Sequence, residues 1–195
     1  MKNEPIIKTF IGAVAPLEII SLINKIKNNI NFGKGKIIWE NYNNLHLTFK
    51  YLGPTLHSEI ENISNIIHKI SIKTNQINLL VNRTGVFPNV SRPRVYFLGI
   101  NGELDLLNKF INELSQSMMK IGYPNEKVFY KPHITIAKSM HPQKNTPNLK
   151  NFINFGFNEI PFIIKKIILY QSTINNNQIT YKILKDFSFK SSGEV

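Results

Sequence analysis

The sequence predicts an α+β fold of antiparallel sheet with helices on its outer faces, arranged as two similar lobes. Three observations carry this. Apolar residues recur at helical spacing in three separate stretches, and β-rich runs fall between and after them in pairs. One strand-like pattern then occurs twice, as His46-Leu47-Thr48-Phe49 and His133-Ile134-Thr135-Ile136, which hints at a pseudo-two-fold relation between the halves. At 195 residues with 42% hydrophobic content, the chain can bury a sizeable core, and no strong linker divides it, so one domain over 1–195 with two intertwined lobes is expected.

The elements follow in order. Ile6, Ile7, Phe10, Ile11 and Val14 read as a strand over 6–14 that stops before Pro16. Leu17, Ile20, Ile23 and Lys27, with Ile19 and Ile26 alongside, predict a helix up to Asn28-Asn29, and Gly33 and Gly35 mark a turn. The first motif strand is expected over 44–51, ending at Gly53-Pro54. Ile60, Ile63, Ile67 and Ile70 predict a second amphipathic helix from Ser58 to Ile70, and strands return at 77–86 and 94–100. Asn101 is read as the cap of a third helix along Leu104, Leu107, Ile111, Leu114 and Met118, which Gly122 ends. Pro132 introduces the second motif strand, a polar segment at 141–151 reads as loop or short helix, and strands are expected at 157–170 and 178–189.

Composition narrows the chemistry. Lys and Arg total 24 against 12 Asp and Glu, a net charge of +12 that favours a polyanionic partner such as nucleic acid or nucleotide. Abundant Lys, Asn and Ile also fit a drift toward A/T-rich codons, so the charge is supporting information only. The absence of cysteine excludes disulfides, thiolate zinc sites and cysteine nucleophiles, leaving histidine, hydroxyls, carboxylates and lysine as catalytic groups. The apolar run after Met1-Lys2-Asn3-Glu4-Pro5 is too short for a membrane span and unlike a signal peptide, so a cytoplasmic protein is expected.

The repeated motif supplies the chemistry. In an extended strand His46 and Thr48 share one face while Leu47 and Phe49 take the other, and His133, Thr135, Ile134 and Ile136 behave identically. A lone strand histidine is more often structural than catalytic. Two of the five histidines, each with a threonine two residues on, exceed what composition produces. Brought together, the strands would surround one small volume with two imidazoles and two hydroxyls, a set suited to acid–base work on an anionic group near neutral pH. His57, His68 and His141 have no such threonine and stay outside the candidate site.

The flanks extend the pattern. They include Phe10-Ile11-Gly12, Asn44-Leu45-His46-Leu47-Thr48-Phe49 with Tyr51-Leu52-Gly53, and Gly85-Val86-Phe87-Pro88 followed by Arg92-Pro93-Arg94-Val95. They continue in Pro132-His133-Ile134-Thr135-Ile136-Ala137-Lys138 and Leu169-Tyr170-Gln171-Ser172. Over most of its length the chain so resembles the 2H phosphoesterase superfamily, within it the LigT-type RNA 2′,3′-cyclic phosphodiesterases also called 2′-5′ RNA ligases. It departs where Lys138 stands in place of a common arginine, and where Lys8-Thr9 stands in place of an arginine that often precedes the first strand; lysine lacks the bidentate fork.

The resemblance implies a bilobal fold in which each lobe contributes one His-x-Thr strand to a central cleft. It implies metal-independent opening of an RNA 2′,3′-cyclic phosphate to a 2′-phosphomonoester, with His46 as proton donor, His133 as proton acceptor, and Thr48 and Thr135 holding phosphate oxygens. No cofactor is expected. The partner is RNA with a cyclic phosphate end, tRNA fragments included, with no membrane partner, and a monomer is expected. Arg92, Arg94, Lys131 and Lys138 flank the motifs as candidate phosphate holders, and Tyr51, Tyr130, Phe87 and Tyr170 as candidate stacking residues, although Phe87 and Tyr170 are read first as strand-packing residues. Ligation through a 2′-5′ bond would be the reverse displacement, with a 5′-hydroxyl replacing water.

Three other readings compete. The cleft serves a different phosphoester, such as a 2′-5′ oligonucleotide or an ADP-ribose cyclic phosphate; or the protein is a non-catalytic RNA-binding module; or it is a metal hydrolase. The last has little support, because no His-x-His, His-Glu-x-x-His or acidic cluster lies near either motif.

Overall fold

The computed structural model describes residues 4–125, 130–140, 142, 144–175 and 178–190; His141, read from the sequence as part of a polar loop, lies outside them. The elements are β1 (Ile6–Val14), α1 (Ile19–Asn29), β2 (Ile37–Trp39), β3 (His46–Leu56), α2 (Glu59–Ser71), β4 (Ile77–Phe87), β5 (Val95–Gly102), α3 (Leu104–Met119), β6 (His133–Ser139), α4 (Lys150–Ile153), β7 (Ile160–Ile164), β8 (Lys166–Asn175) and β9 (Gln178–Ser188).

All strands join one antiparallel sheet in the order β7-β4-β5-β6-β3-β1-β8-β9, with β2 pairing β6. The order is palindromic in its connections. β1 and β3 pair around α1 and β5 and β6 pair around α3, while β8 flanks β1 as β4 flanks β5. Each half thus ends on a motif strand, and β3 meets β6 through a single registered pair, Leu47 with Ile134.

The two faces of the sheet differ chemically. Leu47 and Ile134 are completely buried and share one core with Ile23 and Ile26 of α1, Ile63 and Ile67 of α2, and Leu107 and Leu114 of α3. On the opposite face a small cluster of Phe10, Ile168 and Tyr170, with Tyr181 against it, borders an open cleft. The period-2 pattern of the motifs therefore puts apolar side chains under the helices and leaves His46, Thr48, His133 and Thr135 half-buried on the cleft side. Among the described residues no helix is long and apolar enough to cross a membrane.

Three boundaries differ from the sequence reading. β3 continues through Gly53 and Pro54 to Leu56, because β1 is its sole registered neighbour there and a proline removes no ladder bond on an open side. Asn101 lies in β5 and caps nothing; Glu103 holds the N-cap position, and its carboxylate accepts the Asn78 backbone N–H at 2.6 Å. The run at 157–170 is two strands, β7 pairing β4 and β8 pairing β1, so the chain changes lobes at Lys165. β2 and a 3₁₀ turn at Tyr42–Asn44 had no counterpart in the sequence reading.

Leu47→Ala and Ile134→Ala each empty a fully buried position at the seam and are expected to cost about 2–5 kcal/mol of unfolding free energy. Urea titration checks this; a loss below about 1 kcal/mol in both would show that the seam is not packed as described.

Candidate active site

The site begins at the Leu47–Ile134 pair. His46 and Thr48 flank Leu47, and His133 and Thr135 flank Ile134, so side-chain alternation puts all four on the cleft face around this one pair. The four polar side chains named from the sequence therefore share one small region of the cleft.

Both imidazoles are held in the same way. The Nδ1–H of His46 donates to the Asn44 carbonyl at 2.6 Å, and that of His133 to the Lys131 carbonyl at 2.7 Å. A carbonyl oxygen only accepts, so Nδ1 carries the proton in each ring and the Nε2 lone pair is left for other work. Asn44 is itself anchored, its backbone N–H bonding the Asn41 carbonyl at 2.8 Å and its side chain the Ile179 carbonyl at 2.7 Å.

Aromatic rings wall each histidine. Phe10 lies 4.8 Å and Tyr181 5.0 Å from the His46 ring, while Phe87 lies 4.9 Å and Phe97 5.4 Å from His133. Burial against these rings lowers both imidazoles below the ordinary 6.5. At His46 the Asn44 carbonyl and Glu40 oppose that shift, and the charges of Lys138 and His133 reinforce it. At His133 the Lys131 carbonyl opposes it.

A cavity of about 760 Å³ opens beside His133 and is lined by Thr48, Tyr51, Phe87, Tyr130 and Lys131 among others. The Tyr130 hydroxyl donates to the Thr48 carbonyl at 2.9 Å, and burial pushes its pKa far upward, so it is a neutral donor that steadies the first motif. A second cavity, of about 770 Å³, lies on the Asn44 side and includes Trp39, Glu40, Lys138 and Gln178. Lys138 forms an ion pair there with Glu40, so it faces this cavity and not the one beside His133. Arg92 and Arg94 stand exposed on the β4–β5 connection and line neither cavity.

The sequence reading missed Phe10, Phe97, Tyr181 and Glu40 as neighbours of the histidines. Nothing in their local sequence marks them, since they reach the site from β1, β5, β9 and the end of β2. It also missed the Asn44 and Lys131 carbonyls. These sit two residues before each histidine, a fixed spacing, but a backbone acceptor leaves no trace in residue type.

The sheet has two matched halves, with one His-x-Thr strand from each at the centre. A family model described as LigT like Phosphoesterase matches residues 14–97, a span that holds the first motif and stops before the second. The RNA 2′,3′-cyclic phosphodiesterase of Aquifex aeolicus is 26% identical over 188 residues, covering 93% of this chain and 97% of that protein. The protein of the same name from Aeropyrum pernix is 27% identical over 154 residues, covering 78% and 86%. The fold is shared with a crystal structure of a Thermus thermophilus protein, TM-score 0.77 at 21% identity, covering 95% of this chain and 99% of that one. It is shared also with E. coli LigT complexed with 3′-AMP, TM-score 0.74 at 20% identity, with the same coverage. The chain is thus similar to the LigT-like phosphoesterases over residues 14–97, and to curated RNA 2′,3′-cyclic phosphodiesterases over most of its length.

Because both folded imidazoles sit below 6.5, the unfolded chain binds more protons than the native state just under that pH. Stability contributed by these groups is complete above 6.5 and falls as pH drops toward their lowered folded values. NMR titration of the two Cε1–H resonances is expected to give midpoints below 6.5 for both; a midpoint at or above 6.5 for either would contradict the burial assigned to that ring.

Proposed function

We propose that the chain hydrolyses RNA 2′,3′-cyclic phosphate ends to 2′-phosphomonoesters, with His46 and His133 as a metal-independent acid–base pair. The observation that carries this is the matched tethering of two imidazoles, each through Nδ1, on strands that meet at the sheet centre. The name shared by the relatives from Aquifex aeolicus and Aeropyrum pernix supports the substrate.

A neutral His133 accepts through Nε2 the proton of a water that attacks phosphorus. The P–O3′ bond breaks, and a protonated His46 delivers its Nε2 proton to the departing 3′ oxygen, leaving the phosphate on O2′. One proton is taken up and one released, so the pair returns to its starting charge with the roles exchanged. Thr48 and Thr135, on the same cleft face as the imidazoles, donate hydroxyl hydrogen bonds to the non-bridging oxygens as charge builds on them. This division of labour between the histidines follows the resemblance. Tyr51 and Lys131 line the cavity beside His133 and hold the nucleoside end, with Tyr130 supporting Thr48 from below. Lys138, paired with Glu40, places its cation on the His46 side. A 5′-hydroxyl in place of water would attack the same phosphorus, with the P–O3′ bond breaking and O3′ taking the proton, to give a 2′-5′ linkage; the abundance of water makes hydrolysis dominate.

His46→Ala and His133→Ala are each expected to lower kcat/KM on an oligoribonucleotide ending in a cyclic phosphate by about 10²–10⁴, in the presence of EDTA. The double variant should lose little more than either single one, since the two groups act in one proton relay. The kcat/KM profile of the parent should be bell-shaped with its maximum on the acid side of 6.5, because both imidazoles are lowered. A 3′-phosphate product, loss of turnover with EDTA, or undiminished activity in either alanine variant would each overturn the proposal.

A further inference from the structure

Arg83, Gly99 and His133 form one row across β4, β5 and β6: Arg83 pairs with Gly99, and Gly99 pairs with His133. Directly opposite residues of antiparallel strands share a face, so Arg83 stands on the same cleft face as His133. Gly99 makes room for it. A Cβ at residue 99 would meet Arg83 Cγ and Nε at 2.6 Å and Cδ at 3.2 Å, which means the arginine side chain lies across the bare glycine backbone. It is rooted on β4 and passes over β5, and the next strand in that direction is β6. The neighbouring row uses the same device in the other sense: Gly85 pairs with Phe97, and the Phe97 ring covers the space a Gly85 side chain would take. That ring is one of the walls of His133.

The guanidinium is exposed and makes no hydrogen bond or ion pair with any described residue. Of the other cations near the motifs, Lys131 lines the cavity beside His133. Lys138 is paired with Glu40 on the opposite side of the site, and Arg92 and Arg94 lie on a connection outside both cavities. A bidentate donor that no described group engages thus lies across β5, in the same cross-strand row as His133, suited to a phosphate oxygen pair.

Its place in the sheet says which phosphate. The reacting group sits between His46 and His133, over the β3–β6 seam, whereas Arg83 crosses β5, about one strand spacing of 4.8 Å outboard of His133. We propose that Arg83 binds the internucleotide phosphate that precedes the terminal nucleotide, so that the site favours an RNA end over a free cyclic mononucleotide. This rests on the RNA-end reading above and extends it to a second phosphate.

The test compares a dinucleotide ending in a 2′,3′-cyclic phosphate, which has one internal diester, with the cyclic mononucleotide. In Arg83→Ala the ratio of kcat/KM for dinucleotide over mononucleotide is expected to fall about tenfold, and Arg83→Lys should restore part of it, since the charge remains and the fork is lost. The dependence of dinucleotide binding on salt should lose about 0.7 of its log–log slope in Arg83→Ala, the signature of one single-strand phosphate contact, which a purely structural arginine would not give. An unchanged ratio, or equal losses on both substrates, overturns the proposal. Binding of dinucleotide and mononucleotide carrying open 2′-phosphates separates this from the catalytic reading. A parent that cleaves neither cyclic substrate, yet loses its dinucleotide preference in Arg83→Ala, keeps the subsite and sinks the hydrolysis. A parent that cleaves both with equal kcat/KM does the reverse.

Discussion

One rung of antiparallel pairing, Leu47 with Ile134, is the constraint on which the rest of the site depends. Every other registered contact between neighbouring strands in the main sheet path runs over several residue pairs, so each half is stiff by itself while the halves meet along a narrow seam. The seam is apolar on the helix side, where both residues are sealed in the common core, and polar on the cleft side. Because side chains alternate, burying Leu47 and Ile134 forces the flanking histidines and threonines out on the other face, and a slip of one residue in either strand would bury that strand's own histidine and threonine. Packing and chemistry are in this way specified together.

The histidines are then tuned by two further features of the same strands. A backbone carbonyl two residues upstream takes the Nδ1 proton of each ring, which sets the tautomer without spending a charged side chain. Aromatic neighbours from β1 and β9 on one side, and β4 and β5 on the other, exclude water and lower the affinity of both rings for a second proton. The halves differ in their charged surroundings. His46 feels Glu40 and Lys138, which act in opposite directions, while the shift at His133 comes from burial against the Lys131 carbonyl bond. Tyr170 and Tyr181, pushed up to about 12 by burial and, for Tyr181, also by Glu40, remain neutral hydroxyls in the wall at His46.

Much of this was legible in the sequence because it is local. The helices at α1, α2 and α3 announce themselves by apolar spacing, and the motif strands by their alternation, so His46, Thr48, His133 and Thr135 could be named and assigned a common face. What stayed hidden was long-range. An apolar stretch from Ile160 to Leu169 looks like one strand, and only the sheet shows that its two parts pair with β4 and β1 at opposite sides of the molecule. Proximity in sequence singled out Arg92 and Arg94, which lie on the β4–β5 connection and line neither cavity, while Arg83, in the middle of a strand, falls in the row of His133 through two pairings and a glycine.

The measurement that bears most directly on the paired-imidazole account is the tautomer of each ring, read from long-range ¹H–¹⁵N correlations in histidine-labelled protein above the titration range. The carbonyl bonds at Asn44 and Lys131 predict that His46 and His133 both carry hydrogen on Nδ1 and a bare lone pair on Nε2. Finding the proton on Nε2 in either ring would mean that its carbonyl tether is absent, and that no base is aimed into the cleft from that strand.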